Sequence, residues 1–488
     1  MRFGYHSDHR SVAPFLEVAL VPSPSRRDFL RYGSLAGLIA AGVPITSLLT
    51  EGSALAAAVR HPGSRPYPHR PAGAVNAHMP FDHIVVVMME NHSFDNYLGA
   101  LSRHGQPKAD GLRFSKHGVA LNHNPGPHGP VRSHRFATTA QHSNVTQTWN
   151  ATHQQVNGGK MNGFVTADGN SKQAMGYWGP DTLPFAYSFA KTFTSANRWF
   201  CSAPCQTYPN RRFLMAATAY GDITTDTSTI TMTPPPNGTI FDRLHSHGIS
   251  WKNYFTDLPQ TAIIPSIVKT YPNNLAPIAE FLSDCAAGTL PAVSFVDPEF
   301  GVLSEIGAPL VGVMGADKVG VEFSQMGGDE EAPQDLSYGE NWAYFIVNAV
   351  LQSPAWERTL LIYTFDEHGG YYDHVPPPKA LAPDHIKPNL TKDDVKGGYT
   401  MYGPRVPAIV ASPYSRPNAV TNAVYDHTSV LATIEAKWNL PALTYRDANA
   451  ETVMNFLNLK RQAFKHPPTI AKPAEFLPEL LGDLKDGS

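Results

Sequence analysis

Two short apolar runs that end in acidic residues constrain the fold of this chain more than any other feature of its sequence. Residues 84–89 lead directly into Glu90 and Asn91, and residues 360–365 lead into Asp366 and Glu367. Apolar runs of this length are typical of buried strands, and in open α/β proteins ligands bind outside the carboxyl ends of the strands. We therefore expect these four side chains to meet at one edge of a sheet, where they would outline a metal site.

The composition suits a globular enzyme with a large core. The chain has 488 residues, of which 42% are hydrophobic, and a formal net charge of −3. A charge so close to zero gives no electrostatic basis for binding nucleic acid, so we expect no nucleic-acid partner. The 38 glycines and 43 prolines exceed average usage and predict long ordered loops around the core.

Predicted strands and helices alternate along the chain. Apolar runs predict strands at 84–88, 292–296, 359–365 and 408–411. Helices are expected after Ser93, around 210–219, and over 338–351 and 428–437. Strands separated by helices predict an α/β fold with a mostly parallel central sheet and helices on both faces. We expect one catalytic domain over residues 81–450, followed by a C-terminal extension over 451–488.

The N-terminus resembles an export signal. Arg26 and Arg27 form a twin-arginine signature, and an apolar run rich in small residues follows at 35–49. A membrane anchor is the alternative, but the run is shorter than the roughly 18 apolar residues expected of a spanning helix. We therefore predict a twin-arginine signal peptide over residues 1–58 and a linker over 59–80. The mature protein would be periplasmic, cell-wall-associated or secreted.

Three cysteines, Cys201, Cys205 and Cys285, allow two interpretations. In an exported protein two of them could form a disulfide and leave one over. No further Cys or compact His cluster completes a tetrahedral metal site, so structural or free thiols are the other interpretation.

Thr207 precedes Pro209, which is placed to begin a helix. Backbone N–H groups at the start of a helix favour anions, so a hydroxyl there would face a phosphate group. Taken alone, Thr207 is best interpreted as a helix cap. A nucleophilic role needs a nearby divalent cation, because the cation can lower the pKa of the hydroxyl.

Six motifs together resemble the bacterial phosphoesterase family that includes non-specific phospholipases C and acid phosphatases and is related in fold to alkaline phosphatase. They are Glu-Asn-His-Ser-Phe-Asp at 90–95, Asn-Gly-Gly-Lys-Met at 157–161, Thr-Tyr-Pro-Asn-Arg at 207–211, Phe-Asp-Glu-His-Gly-Gly at 365–370, Asp-His-Val-Pro-Pro at 373–377 and Asp-His-Thr-Ser at 426–429. The resemblance extends from residue 81 to about residue 447. It implies an alkaline-phosphatase-like fold and an enzyme that hydrolyses phosphoric esters.

The resemblance also implies a set of site residues. One divalent metal ion would be bound by Glu90, Asn91, Thr207, Asp366 and Glu367. Thr207 would also attack phosphorus, and His153 matches a family histidine that contacts the phosphoryl group. His374 and His427 would contact substrate or support the metal ligands. The all-oxygen ligand set suits Ca²⁺, Mg²⁺ or Mn²⁺. Alternatively, the pairs Asp373–His374 and Asp426–His427 could bind a second metal.

Glu331 marks a departure from the family. Family members usually carry a histidine followed by two prolines ahead of the helix expected at 338–351, whereas this chain has Glu331, Ala332 and Pro333. A carboxylate beside a phosphate group repels it, so Glu331 would stay protonated, bind a cation or turn away. A loop shifted in register is the alternative.

Three functions fit the sequence. The first is a phospholipase C that cleaves phosphatidylcholine to diacylglycerol and phosphocholine, with transient contact to a membrane surface. The second is a broad acid phosphatase acting on small phosphate esters, and the third is a catalytically silent binding protein. Aromatic residues near the motifs could cage a choline group, or they could belong to the core; they are Tyr177, Trp178, Tyr371 and Tyr372.

Overall fold

The computed structural model of the chain describes residues 59–141, 145–300 and 328–486. The strands are β1 His83–Met89, β2 His123–Asn124, β3 Val131–Arg132, β4 His134–Arg135, β5 Gly176–Tyr177, β6 Thr194–Ala196, β7 Trp251–Phe255, β8 Leu275–Pro277, β9 Val293–Asp297, β10 Thr359–Phe365, β11 Ala408–Ala411 and β12 Ala419–Thr421. The α-helices are α1 Phe94–Leu98, α2 Trp149–Val156, α3 Pro184–Thr192, α4 Thr207–Ala216, α5 Ile240–Ser246, α6 Pro265–Thr270, α7 Ile278–Ala287, α8 Leu336–Gln352, α9 Thr428–Trp438, α10 Tyr445–Ala448 and α11 Pro478–Asp486.

Eight of these strands form one sheet in the order β12-β6-β11-β10-β1-β9-β7-β8. All neighbours in this sheet are parallel except at β11, which runs antiparallel to both β10 and β6. Every residue of β10 is buried, and so is every residue of β1 after His83. Because successive side chains point to opposite faces, both faces of the sheet are covered. The predicted α/β class with a mostly parallel sheet is confirmed.

The register of the two central strands sets the position of the acidic residues. β1 and β10 are paired over their whole length, with Met89 opposite Phe365. The residues that follow, Glu90 and Asp366, therefore leave the sheet side by side. The predicted strands at 359–365 and 408–411 match β10 and β11 at both ends, and the other two differ from β1 and β9 by one residue.

Four strands of the sheet were not predicted from the sequence: β6, β7, β8 and β12. Three of them have only three residues, and β8 ends in a proline. β7 is longer but contains Lys252 and Asn253 within its five residues. Their apolar runs are too short or too interrupted to be recognised as strands.

The predicted helices are present, with one shifted boundary. The helix expected around 210–219 begins at Thr207, and it ends at Ala216 because Ala217 adopts a left-handed conformation with φ 59°. Pro209 thus lies in the first turn, where proline is tolerated. The helix expected at 338–351 extends over α8, with Asp335 capping its first turn, and the helix expected at 428–437 matches α9.

Both ends of the described chain pack against the domain. The side-chain amide of Asn439 donates to the carbonyls of Tyr67, Arg70 and Pro71. Near the other end, Leu484 is buried. The domain boundaries stay predictions, and the predicted signal peptide lies outside the described residues. Nowhere in the described part does a helix combine the length and hydropathy needed to cross a bilayer.

The structure decides two alternatives about side chains. Cys201, Cys205 and Cys285 are buried free thiols, so the interpretation as structural or free thiols is confirmed. The four aromatic residues considered as a choline cage all belong to the main hydrophobic core, so the cage interpretation is wrong; they are Tyr177, Trp178, Tyr371 and Tyr372.

Candidate active site

The carboxyl ends of β1 and β10 are tied together by the Asp366 carboxylate. Its Oδ1 accepts hydrogen bonds from the backbone N–H of Asn91 at 3.1 Å and from that of Glu367 at 2.6 Å. Asn91 adopts a left-handed conformation with φ 69°, which asparagine tolerates better than most residues and which turns the chain after β1. The structure therefore brings Glu90, Asn91, Asp366 and Glu367 to one edge, as the sequence predicts.

Arg211 on α4 forms ion pairs with the residues that follow both strands. Its guanidinium lies 3.2 Å from Glu90 Oε1 and 3.4 Å from Asp366 Oδ2. Burial disfavours the charge of this arginine, but the carboxylates of Asp366 and Glu90 outweigh that effect and raise the pKa of Arg211 overall. Sequence reasoning missed Arg211 as a site residue. Its position four residues after Thr207 was the available signal, because residues i and i+4 share one helix face.

Thr207 lies at the first position of α4 and is only 7% exposed. The cap position belongs to Gln206, whose side chain makes no capping hydrogen bond. The interpretation of Thr207 as a helix cap is therefore wrong. The Thr207 hydroxyl instead makes a polar contact with the Asp366 carboxylate, which counteracts part of the rise that burial causes in the pKa of Asp366.

A cavity of about 270 Å³ opens over these residues. Its wall has two chemically different sides. The polar side includes Glu90, Gln147, Gln206, Thr207, Arg211 and Glu331. The apolar side includes Leu258, Pro259, Ala262, Ile263 and Phe300. A molecule with both a charged and an apolar part fits such a wall.

Glu331 faces this cavity, so the alternative of a shifted loop with Glu331 in solvent is wrong. Glu90, Asp329 and Glu331 each place a carboxylate oxygen within 4.8 Å of the other two. Burial and the charge of Asp366 raise the pKa of Glu331 to about 7. Asp329 was missed as a site residue, although its position two residues before Glu331 in an acidic run was a signal.

Several carboxylate oxygens at this edge lack a well-formed hydrogen bond. In the described part of the chain, Glu367 Oε1 and Asp329 Oδ2 are buried without a hydrogen-bond donor, and Asp366 Oδ2 has no well-formed hydrogen bond, although Arg211 lies 3.4 Å away. Burial raises the pKa of Glu90 and Glu367, and the charge of Asp366 raises both further. Buried carboxylates that lack donors are the ligands that hard divalent cations take, so these residues fit a divalent metal ion.

His427 contacts the backbone of the acidic edge at Asp366. Its Nε2 is 2.5 Å from the backbone carbonyl oxygen of Asp366, and its Nδ1 is 3.4 Å from the indole nitrogen of Trp199. Burial lowers the pKa of His427 to about 4. The ring is therefore neutral, with Nε2–H donating to Asp366, and it holds the backbone of that residue in place.

The other two predicted histidines lie away from the cavity wall. His153 Nδ1 is 2.7 Å from the carbonyl oxygen of Trp149, and its ring packs on the Trp149 ring at 4.5 Å between centroids. His374 Nδ1 is 2.7 Å from Asp95, and its Nε2 is 3.3 Å from Asp110. Neither histidine is among the described residues that line the cavity. Their predicted roles stay predictions.

The two pairs considered for a second metal are neutralised by arginines. Arg405 Nε lies 2.9 Å from Asp373 Oδ1, and the second oxygen of Asp373 accepts from the same guanidinium at 3.0 Å. Asp426 accepts hydrogen bonds from Ser202 and Thr428 and pairs with Arg446 at 3.3 Å. Carboxylates satisfied in this way have little capacity left for a cation.

Comparison with known proteins identifies the family of this chain. The profile of the Phosphoesterase family matches residues 81–441. Non-specific phospholipase C6 of Arabidopsis thaliana is 30% identical over 411 residues, covering 79% of this chain and 73% of that protein. Phospholipase C B of Mycobacterium tuberculosis is 30% identical over 467 residues, covering 82% and 81%. A solved protein of the alkaline phosphatase superfamily from Vibrio parahaemolyticus matches at 9% identity with a TM-score of 0.33, covering 68% and 72%.

Proposed function

Because the chain belongs to the Phosphoesterase family and is a phosphoric ester hydrolase, we propose that it is an exported, metal-dependent phospholipase C with Thr207 as its nucleophile. One observation carries the proposal. Thr207 lies at the start of α4, on the wall of a half-apolar cavity, and contacts a carboxylate of the acidic edge. A nucleophile, an anion site and an apolar wall thus share one cavity.

The metal ligands in this proposal are those expected from the sequence: Glu90, Asn91, Thr207, Asp366 and Glu367. Glu367 Oε1, which has no donor among the described residues, and Asp366 Oδ2, which has no well-formed hydrogen bond, support the two acidic ligands that follow β10. All five ligands offer oxygen, which favours Ca²⁺, Mg²⁺ or Mn²⁺ over softer ions. When bound, such a cation lowers the pKa of a hydroxyl that it contacts and offsets negative charge on the phosphoryl oxygens.

The Thr207 hydroxyl attacks phosphorus and breaks the ester bond to the glycerol oxygen of the lipid. Its proton is released to solvent, because the Asp366 carboxylate that the hydroxyl contacts would already hold the cation. The diacylglycerol oxygen takes a proton from solvent. Water then cleaves the bond between Thr207 and phosphorus and releases phosphocholine, which restores the hydroxyl.

The phosphoryl group is held by Arg211 and by the start of α4. The guanidinium lies on the cavity wall one helical turn from Thr207, and the first backbone N–H groups of α4 have no side-chain cap at Gln206. Both favour an anion at this position. In this proposal the His427 ring holds the backbone of Asp366 in place. His153 and His374 keep the roles predicted from the sequence, although neither is among the described residues that line the cavity.

The apolar wall supports a lipid as substrate. Leu258, Ile263 and Phe300 offer a surface for the glycerol and the first acyl carbons, which a small phosphate monoester would leave uncovered. The experiment that tests the proposal compares hydrolysis of phosphatidylcholine with that of p-nitrophenyl phosphate by one Mn²⁺-loaded preparation. We expect diacylglycerol and phosphocholine to form at the higher kcat/KM. Preference for the monoester would favour the acid phosphatase alternative, and turnover of neither would favour a binding protein.

Export by the twin-arginine route is part of the proposal. Arg26 and Arg27 precede an apolar run, and a folded metalloenzyme is a suitable cargo for this route. Replacing both arginines by lysine should keep the full-length protein inside the cell, measured by fractionation. Unchanged export of the double variant would contradict this route.

A further inference from the structure

The acidic edge carries more negative charge than one divalent cation and Arg211 can offset. Five carboxyl groups lie close together at this edge: Glu90, Asp329 and Glu331, whose oxygens are within 4.8 Å of one another, Asp366, which shares Arg211 with Glu90, and the adjacent Glu367. Arg211 is the guanidinium paired with them, through Glu90 and Asp366. With a single divalent cation bound, a net negative charge would remain, and a phosphate diester would bring one more. A further cation in this cavity would offset that charge and favour anion binding.

The three carboxylates of Glu90, Asp329 and Glu331 are held together by the backbone. The backbone N–H of Glu90 donates to the carbonyl of Asp329 at 3.0 Å, which fixes the loop to the end of β1. The backbone N–H of Glu331 donates to Asp329 Oδ1 at 2.9 Å. Each residue then places a carboxylate oxygen within 4.8 Å of the other two. Oxygens at this spacing can share one cation, because hard cations bind oxygen at about 2.0–2.6 Å.

Asp329 provides an independent sign that the cluster takes a ligand. Its side chain is fully buried, at 0% exposure, and its Oδ2 has no hydrogen-bond partner among the residues that the structure describes. A buried carboxylate oxygen with no donor is costly unless something positive meets it. Arg211 forms its ion pairs with Glu90 and Asp366, so it makes no ion pair with this oxygen of Asp329.

We propose that Glu90, Asp329 and Glu331 bind a second divalent cation beside the proposed metal site, with Glu90 shared between the two. This inference rests on the proposed function, because it adds to the metal site of that function. Two divalent cations and Arg211 together neutralise the five carboxylates, so a phosphate diester enters a cavity without excess negative charge. Glu331 is thus a cation ligand in this proposal.

A metal ion fits this cluster better than the ammonium group of a lipid head group does. Asp329 is fully buried, so a bulky quaternary ammonium cannot approach its carboxylate. Such a group also needs open aromatic faces. On the cavity wall the Phe300 ring is already covered by the Arg211 guanidinium, which lies 4.8 Å from the ring centroid.

The test counts metal ions. The full-length protein is loaded with Mn²⁺, freed of excess by gel filtration, and analysed by elemental analysis and electron paramagnetic resonance. We expect two Mn²⁺ per chain with the spectrum of a spin-coupled pair, since metals in two-metal sites lie about 3.5–4 Å apart. Glu331→Gln should retain one Mn²⁺ with an uncoupled spectrum. Asp329→Asn should do the same, and it serves as the second variant if Glu331→Gln fails to fold.

Glu330→Gln is the matched control. Glu330 is the neighbouring residue, but its carboxylate accepts from the hydroxyl of Tyr97 at 3.0 Å, away from the cavity wall. Burial raises its pKa, and glutamine keeps the side-chain oxygen that accepts the hydrogen bond from Tyr97. This variant should retain two Mn²⁺.

The outcomes separate this inference from the proposed function. One Mn²⁺ in the wild-type protein, lost in Asp366→Asn but kept in Glu331→Gln, would overturn the second site and leave the proposed function intact. Two Mn²⁺ in Glu331→Gln or Asp329→Asn would also overturn it. A wild-type protein that hydrolyses lipid without Mn²⁺ or any other metal would overturn both.

Discussion

Two clusters of buried carboxylates, each with an arginine at its centre, differ in how their charges are balanced. The Arg405 cluster comprises Arg405, Asp95, Asp373, His374 and Asp110, and Arg198 pairs with Asp110 at 2.6 Å. The Arg211 cluster comprises Arg211, Glu90, Asp329, Glu331, Asp366 and Glu367. In the Arg405 cluster, three positive side chains, Arg405, Arg198 and His374, face the carboxylates of Asp95, Asp373 and Asp110. His374 counts as positive because, against the lowering effect of burial, Asp95 is the main group that raises its pKa to about 10. In the Arg211 cluster, one positive side chain, Arg211, faces five carboxyl groups among the described residues.

This difference separates a structural network from a binding site. In the Arg405 cluster both Asp373 oxygens are bonded to the guanidinium, and breaking such a pair leaves a buried charge without a partner. In the Arg211 cluster, one carboxylate oxygen of Asp329 and one of Glu367 have no donor among the described residues. Buried carboxylates without donors lower the stability of a protein that has no ligand bound to them. Residues in a cleft with strongly shifted pKa values are also candidates for a functional site.

The largest effect is expected at the nucleophile of the Arg211 cluster. Thr207→Ala removes the attacking oxygen, and water in its place lacks positioning, so kcat should fall by at least about 10⁴-fold. Thr207→Ser keeps a hydroxyl and should retain most activity. Hydrolysis of phosphatidylcholine is measured alongside thermal unfolding. Retention of more than about a tenth of the wild-type rate by Thr207→Ala would refute the assignment.

The second effect is on stability and belongs to the Arg405 cluster. Asp373→Asn leaves the buried Arg405 without its paired carboxylate and should lower the free energy of unfolding by about 3–5 kcal/mol. The addition of a chelator should not change this loss, because no metal is proposed there. Urea unfolding with and without chelator gives both numbers. A loss below about 1 kcal/mol would mean that this network is not structural.

The third effect is on metal affinity and uses the same substitution in the other cluster. Asp366→Asn removes one negative ligand, so the affinity for Mn²⁺ should fall by about 100-fold or more and activity should fall with it. Asp373→Asn, measured where it is folded, should bind Mn²⁺ as the wild-type protein does. Chelation should inactivate the wild-type enzyme. An active preparation free of metal would contradict the proposed site.

The sequence predicts the parts of the site that follow long apolar runs. β1 is apolar from Ile84 to Met89 and β10 is mostly apolar, so the positions of Glu90 and Asp366 could be inferred from the rule for parallel sheets. The proline-containing start of α4 indicates a helix N-terminus near Thr207, whereas the role of Thr207 as nucleophile is implied only by the family resemblance. In each case a local pattern determines the position.

The missed residues depend on contacts between distant segments. Asp329 reaches the site through a backbone hydrogen bond to Glu90, which is far away in sequence. Arg405 lies between Asp95 and Asp373, so a sequence motif with Asp and His at 373–374 resembles a metal site although its charge is already neutralised. No local pattern reports which carboxylate an arginine will meet. The balance of charge becomes visible only in the fold.

The smallest effect concerns pH, and both clusters contribute through raised pKa values. Glu331 has an ordinary pKa of 4.5, and in the folded protein burial and Asp366 raise the pKa to about 7. The unfolded chain therefore loses this proton first, and the metal-free protein loses stability as pH rises between those values. His374 has an ordinary pKa of 6.5 that is raised to about 10 mainly by Asp95, against the lowering effect of burial, so its contribution is complete below 6.5 and is lost as pH rises through 10.

The two pH windows can be separated by one substitution in each cluster. In chelated protein, Glu331→Gln should raise Tm relative to wild type by an amount that grows from pH 5 to about pH 7 and is then constant, because glutamine never acquires the unfavourable charge. His374→Gln should lower Tm most at pH 6 and progressively less as pH approaches 10, because the stabilising imidazolium is then lost from the wild type as well. Thermal unfolding of the three proteins across this range tests both. A Tm difference for Glu331→Gln that does not vary with pH would show that Glu331 is not held against the other carboxylates, and the contrast between the two clusters would fail at that residue.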